Sequence, residues 1–406
     1  MSKGIFTPTN ILLPRSNISM EKWAVIACDQ FSSEHDYWER VRELAGESPS
    51  TLKMIIPEAY LEEIDEDEEI GKISKIMADY LGGNIFNEIP DSFVLVERTQ
   101  PDGRVRRGIV GALDLETYEF ATDNAAVRAS EGTVLDRLPP RIRIRKKACL
   151  ELPHIITFID DRDNTVMAPL MAKSANFPVL YDFDLMEGGG HIKGLQVSGA
   201  DADAVMASLE ALKEKNEMLM VIGDGNHSLA AAKVYWDEIK VSLSDAERET
   251  HPARCALVEL NCVYDNAIDF EAIHRVIFDV NPGDILKELE KAMTAGDGYK
   301  IRWVFEGQSG EISVAADCIG DMLSELQEFL DKYAQSKGAR VDYIHGEDSV
   351  LKLSEGERSI GLILPSMDKA ELFATVEARG VFPKKSFSVG HARDKRYYLE
   401  CRKIVD

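Results

Sequence analysis

A mixed α/β (α+β) fold, with helices packed on a mixed sheet and a smaller C-terminal α+β module behind it, is predicted by three features of this sequence. Strand and helix patterns alternate from residue 200 onward, hairpin patterns precede that stretch, and the breaker cluster Asn281-Pro282-Gly283-Asp284 resets the pattern before a second set of elements. The chain has 406 residues, 45% of them hydrophobic, enough apolar material for two cores at about 100 to 200 residues per domain. The expected division is a main domain over 1–280 and a module over 281–406.

Taken in order, Trp23 to Cys28 reads as a short strand leading into Asp29-Gln30-Phe31, and Ser33 and Asp36 have the spacing of a capping box at a helix start. Leu52 to Ile56 reads as a strand, Pro57 opens a helical stretch, and a helix over Glu66 to Leu81 is closed by Gly82-Gly83. Ser92 to Arg98 and Val105 to Leu115 flank Pro101-Asp102-Gly103 as a hairpin. The stretch from Ala125 to Lys147 is polar and poorly periodic. Within it Arg141-Ile142-Arg143-Ile144-Arg145 alternates, so a strand there places three arginines on one face, most simply a solvated edge. His154 to Ile159 and Val179 to Leu185 read as strands. Helix Asp201 to Lys215, strand Met218 to Ile222, helix Ser228 to Ile239 and strand Ala256 to Val263 then give the alternation of a βαβ layer. Beyond residue 281 come a helix to about Met293, a hairpin of Tyr299 to Phe305 with Glu311 to Ala315, a helix from Asp321 to Gln335, strand Ile360 to Leu364 and helix Asp368 to Ala378.

A net charge of -24 argues against a nucleic-acid partner, since binding a phosphate backbone needs a basic face. The one basic run is Arg137, Arg141, Arg143, Arg145, Lys146 and Lys147. The six cysteines are far apart with no Cys-x-x-Cys, the pattern of reduced thiols, which points to the cytoplasm. No membrane role is expected, because no run approaches the roughly 18 apolar residues of a span and the N-terminus lacks the apolar core of a signal peptide.

Common nucleotide-loop, nucleophile-elbow and zinc-helix motifs are absent, and the eight histidines show no metal-ligand spacing, so no structural metal is expected. The informative segment is Met218-Leu219-Met220-Val221-Ile222-Gly223-Asp224-Gly225-Asn226-His227-Ser228, where an apolar strand meets a glycine turn and an alanine-rich helix follows. The carboxyl end of a strand in an open α/β sheet is where ligands bind, and the first amides of the next helix favour phosphate or carboxylate. Asp224 is a candidate base or Mg²⁺ ligand, and His227 a candidate acid or base, because an imidazole titrates at about 6.5 when unperturbed. The plainer reading is that Asp224 and Asn226 cap the helix while the glycines supply positive φ. Three further candidates are Asp29 after an apolar strand, the His274-Arg275 pair, and Pro383-Lys384-Lys385-Ser386. Their plain readings are a turn residue, a pair with some of the many carboxylates, and solvated lysines.

These residues, in this order, resemble a bacterial domain-of-unknown-function family, the one numbered ten-fifteen, along almost the whole chain. The family's Asp-Gly-His-His-Arg turn is matched by Asp224-Gly225-Asn226-His227-Ser228. Its His-Glu-x-Thr followed by Asp-Arg is matched by Ser130-Glu131-Gly132-Thr133 and Asp136-Arg137, its early Pro-Tyr-Asp by Asp29, its His-Arg by His274-Arg275, and its Pro-x-Lys-Ser by Pro383 to Ser386. Asn226, Ser228 and Ser130 depart from the family's His, Arg and His. If the missing Arg clamps an anion, Arg137 or Lys385 takes that role here, or the ligand differs. The turn also resembles, more locally, the phosphate turn of the ParB and sulfiredoxin-like fold, which includes free serine kinases.

That second resemblance implies a phosphotransferase acting on a small metabolite with Mg²⁺ and ATP or ADP. In that reading Gly225 and Asn226 hold phosphate, Glu131, Asp224 and His227 do proton or metal work, and Arg137, Arg275, Lys385 and Ser386 contact the charged ligand with Asp29 and His274. The alternatives are a regulatory protein that binds a nucleotide or another small anion without turnover, a phosphate-ester hydrolase and, against the charge balance, a DNA-associated protein.

Overall fold

The hairpin expected around Pro101-Asp102-Gly103 forms as Phe86–Thr99 paired with Val105–Asp114, and Gly103 at φ 87° supplies the left-handed turn position. The computed structural model describes residues 4–120, 124–133, 135 and 138–405. The fold is mixed α/β. Packing divides it into a larger unit of Met1–Ala129, Thr133–Ile268 and His391–Asp406, and a smaller unit of Ser130–Gly132 and Asp269–Gly390. The smaller unit thus begins ahead of the breaker cluster at Asn281, because strand Phe270–Phe278 is central to its sheet and pairs with Arg340–His345, Ser359–Ile363 and Phe387–Val389. Strand Ser359–Ile363 also pairs with Ala295–Phe305, which forms the expected hairpin with Gln308–Val314.

In the larger unit the described residues form an eleven-stranded mixed sheet. Nine of its strands run, from one edge, Val179–Leu185, Gly190–Ser198, Phe86–Thr99, Val105–Asp114, Cys255–Cys262, Ile156–Ile159, Met220–Asp224, Val127–Ala129 and Tyr118–Glu119, and the other two, Phe6–Thr7 and Thr9–Pro14, pair with Val105–Asp114 and Phe86–Thr99. The run Phe93-Val94-Leu95-Val96 shows how both faces are covered. Val94 and Val96 join one apolar cluster with Trp23, Trp38 and Tyr397, whereas Phe93 and Leu95 join another with Leu229 and Trp236. Period-two alternation within a continuous apolar run is the expected signature of a strand buried on both sides.

Four local expectations are corrected. Strand Ile156–Ile159 lies between Met220–Asp224 and Cys255–Cys262, antiparallel to the first and parallel to the second. The strands flanking helix Asn226–Lys240 therefore run in opposite directions and make no βαβ crossover. Residues 52–56 are not a strand: a short 3-10 helix, Thr51–Met54, is capped by the Ser50 hydroxyl accepting from the Leu52 amide. The helix expected at Ser33 starts at His35, with Glu34 as its cap residue and no side-chain cap bond. Lastly, Leu138–Lys147 is a helix, with Pro139 and Pro140 in its first turn, where a fixed φ and a missing amide are tolerated. Arg141 and Arg145 then share a helix face four residues apart, while Arg143 points elsewhere and pairs with Glu66.

The last residues, 391–406, are tied into the larger unit by buried charge. Arg396 is 3% exposed and bonds both Glu259 and Glu400. Glu259 also pairs with Arg106 at 3.3 Å, and Glu400 accepts from Tyr181 Oη at 2.5 Å. Burial works to raise the Glu259 carboxyl, but the Arg106 and Arg396 guanidinium charges overcome it and hold the group below its ordinary value. Further along, Arg402 Nε donates to Glu151 at 2.7 Å, Tyr397–Tyr398 pairs with Val25–Ile26, and Trp23 donates to the Leu399 carbonyl at 2.8 Å.

Removing one member of such a buried network strands the others. Glu259→Ala, which leaves Arg106 and Arg396 without their shared carboxylate, is expected to cost about 3–5 kcal/mol of unfolding free energy in urea titration. A loss under about 1 kcal/mol would contradict the network's role.

Candidate functional site

The strand Met220–Asp224 delivers its last residue to a turn that only glycine permits. A side chain at Gly223 would meet the Phe158 ring at 2.1 Å, and one at Gly225, which has φ 80°, would lie 2.9 Å from Ile155. The helix Asn226–Lys240 follows at once, so Asn226 and His227 are its first two residues rather than a loop before it. Its N-cap is Gly225, which brings no side chain to the first amides. Asp224 does not cap the helix. One carboxylate oxygen accepts from the adjacent Gly225 amide at 2.9 Å, and the other pairs with Lys395 Nζ at 3.1 Å.

Lys395 is 6% exposed and comes from the C-terminal segment, one residue before the buried Arg396. Its charge also reaches Asp29. Asp29 follows the apolar strand Val25–Ile26, and the neighbouring Ala27 amide donates to the Arg396 carbonyl at 3.0 Å. His154 stands 3.9 Å from the Asp29 carboxylate. Burial works to raise the Asp29 carboxyl, but the charge of His154, the Gln30 amide and the Lys395 ammonium together hold it below its ordinary value of 3.8. Behind His154, its Nδ1 lies 2.9 Å from Tyr398 Oη, which lies 3.1 Å from Cys28 Sγ. Burial pushes the Cys28 thiol up to about 12, with Asp29 adding to the rise, which favours the protonated thiol at neutral pH.

A cavity of about 440 Å³ adjoins this cluster. His154, Cys28 and Tyr398 form part of its wall, as do Ser228 and Ala231 of the helix that follows the turn. Most of the remaining lining is aliphatic, and the charged part is Glu58, Glu66 and Glu151 with Arg141 and Arg145 from helix Leu138–Lys147. Among the described residues no group of three or more His, Cys, Asp and Glu side chains is placed to hold a metal ion.

Of the residues singled out in the sequence, the larger unit holds Asp29, Asp224, Gly225, Asn226 and His227, and brings Asp29 and Asp224 to the same lysine. Lys395 and His154, which complete the cluster, were not singled out. His154 read only as the start of a strand, and Lys395 stands in no motif, because its place depends on the return of the chain end. Glu131, His274, Arg275, Lys385 and Ser386 belong to the smaller unit, and Arg137 lies outside the described residues.

Within the smaller unit Glu131 accepts from the Ser386 amide at 3.2 Å, beside Lys385 in the left-handed region at φ 60°. Burial pushes the Glu131 carboxyl up against the pull of that amide and of Lys385. Arg275 is 1% exposed, donates to the Ile273 carbonyl at 2.6 Å and lies over the Tyr343 ring, and burial lowers its guanidinium to about 10. His274 Nδ1 accepts from the Leu364 amide at 3.1 Å. Both side chains are buried in the smaller unit.

The Asp29 environment has a pH signature. A carboxyl held below its unfolded value lends stability that is present above about 3.8 and is lost as pH falls through the folded value. Between about pH 5 and pH 3, Asp29→Asn is expected to lose stability less steeply than the natural protein, by up to about 1.4 kcal/mol per pH unit for one group. Parallel acid-unfolding curves would show that His154 and Lys395 do not hold this charge.

A comparison with curated proteins gives no match. Among solved structures, the truncated SbnI from Staphylococcus aureus aligns with 8% identity and a TM-score of 0.38, over 69% of this chain and 82% of that one. A conserved hypothetical protein from Pyrococcus furiosus aligns with 12% identity and a TM-score of 0.37, over 74% and 97%. A free serine kinase in complex with AMP aligns with 11% identity and a TM-score of 0.38, over 74% and 92%. The sequence match is far more extensive. The model of the family described as "Protein of unknown function (DUF1015)" spans residues 12–401, and the chain belongs to that family.

Proposed function

We propose that the larger unit binds the phosphates of a nucleotide at the start of helix Asn226–Lys240 and transfers a phosphoryl group to a small metabolite. The observation that carries this reading is the 3.1 Å pair of Asp224 and the buried Lys395 at a glycine-capped helix start. A helix start attracts anions through its amides and dipole, and a lysine beside it serves phosphate as a point charge. Asp224 holds Lys395 in place until phosphate arrives.

Asp29 is the group placed to take a proton from a substrate hydroxyl, with His154 beside it to share the charge. The residues fit Mg²⁺ only as an ion carried in with phosphates, which needs one or two protein carboxylates, here Asp224 and Asp29. When bound, Mg²⁺ supplies neutralisation of the phosphate charge. In this reading Glu131 anchors the loop of Lys385 and Ser386 within the smaller unit and does not take part in proton transfer.

Isothermal titration with ATP and ADP, with and without Mg²⁺, tests the proposal. Binding in roughly the micromolar range is expected, and Lys395→Ala should weaken it about tenfold or more. Phosphorus NMR of reactions with a metabolite panel then separates transfer to an acceptor from release of free phosphate. Binding without any product would favour a regulatory, non-catalytic role, and no heat with any nucleotide would overturn the reading.

A further inference from the structure

Tyr398 and Cys28 have no part in the proposed transfer, yet the tyrosine touches the imidazole that stands beside Asp29. Strand pairing fixes it, since Tyr398 lies opposite Val25 in the antiparallel pair that the chain end makes with Val25–Ile26. Its ring meets the His154 ring edge to face, 5.4 Å apart at 87°, and both residues are buried in the larger unit.

Counting protons on the Tyr398 hydroxyl assigns those on the imidazole. A phenol has one proton to give, and burial drives its ionisation well above the ordinary range, so the proton is retained. The oxygen accepts from the Cys28 amide at 3.3 Å. Two acceptors then compete for its proton, His154 Nδ1 at 2.9 Å and the Cys28 sulfur at 3.1 Å. A thiol sulfur is a weak acceptor and an unprotonated imidazole nitrogen a good one, so the nitrogen wins. The thiolate that would reverse this order is disfavoured, because burial pushes Cys28 up to about 12.

A nitrogen that accepts from Tyr398 carries no proton, which leaves the single proton of a neutral His154 on Nε2. Nε2 is also the nitrogen that faces Asp29, 3.9 Å from Oδ2. The other tautomer would set a bare Nε2 lone pair against that carboxylate and turn the phenol proton onto the poorer sulfur acceptor. Both ends of the ring therefore favour the same arrangement.

We infer that Tyr398 is a positioning residue, whose hydroxyl donates to Nδ1 and so holds His154 with its Nε2–H turned to Asp29. The catalytic use of this arrangement rests on the reading of Asp29 as the proton acceptor. A donor beside Asp29 leaves that carboxylate as the base of the pair, whereas the opposite tautomer would offer a substrate proton two competing acceptors.

The test is long-range proton–nitrogen NMR of the histidine rings in the full chain without nucleotide, at about pH 8, above the ordinary imidazole range. The His154 signals are identified by their loss in His154→Gln. The natural protein shows a protonated Nε2 and a bare Nδ1, and a proton on Nδ1 or on both nitrogens overturns the inference. Tyr398→Phe keeps the ring and its packing but removes the donor, so both tautomers become populated and the two nitrogen shifts draw together. Unchanged shifts in that variant overturn the role of the hydroxyl. Cys28→Ala removes the competing acceptor and leaves the His154 shifts as they were, while a change of tautomer would show that the sulfur held the phenol proton. The spectrum of the natural protein needs no variant, so the inference is decided even where Tyr398→Phe does not fold. Neither nucleotide nor turnover enters, so a wrong tautomer and a failed nucleotide titration read out separately.

Discussion

Arg396, buried between Glu259 and Glu400, is the interaction on which the larger unit and its site both depend. A guanidinium out of water is tolerable only with charge and hydrogen bonds on every side, and here two carboxylates and the Pro153 carbonyl surround it. Because Glu259 lies on a central strand, the C-terminal segment is drawn into the middle of the unit instead of fraying. Its neighbours follow: Lys395 to Asp224, Tyr397 and Tyr398 to the strand before Asp29, and Arg402 to Glu151. A site assembled in this way has its cation fixed by the core and not by a mobile surface chain.

In the proposed reading, that arrangement lets a chain of net charge -24 offer a place to an anion. The excess acid is spread over solvated surfaces, where screening reduces its reach, while the few buried cations act at close range in a medium of lower effective dielectric. Lys395 is of this kind, held against the Asp224 carboxylate. The neutral Cys28 and Tyr398 behind His154 keep that side of the cluster free of competing negative charge.

Much of the architecture was legible in the sequence because its signals are local. The hairpin at Gly103, the helix closed by Gly82-Gly83 and the strand, turn and helix around Asp224 all come from apolar periodicity and glycine within a few residues of one another. The misread stretch at Arg141 to Arg145 failed for the same reason. Five alternating residues satisfy a strand's period of two, and their outer pair equally satisfies a helix's spacing of four, so the prolines ahead of them decide. His154 and Lys395 were illegible for a different cause: Tyr398, which touches His154, is 244 residues away, and no pattern along the chain encodes that distance. The return of residues 391–406 to the larger unit was hidden likewise, since its anchors are single charges far apart in sequence.

The central claim is that the chain end is part of the core, and hydrogen exchange measures it directly. Backbone amides between Lys395 and Arg402 should exchange as slowly as those of the central strand Cys255–Cys262, opening only with global unfolding. Exchange of that segment within seconds, as at a frayed terminus, would contradict the claim and leave Asp224 without its fixed partner.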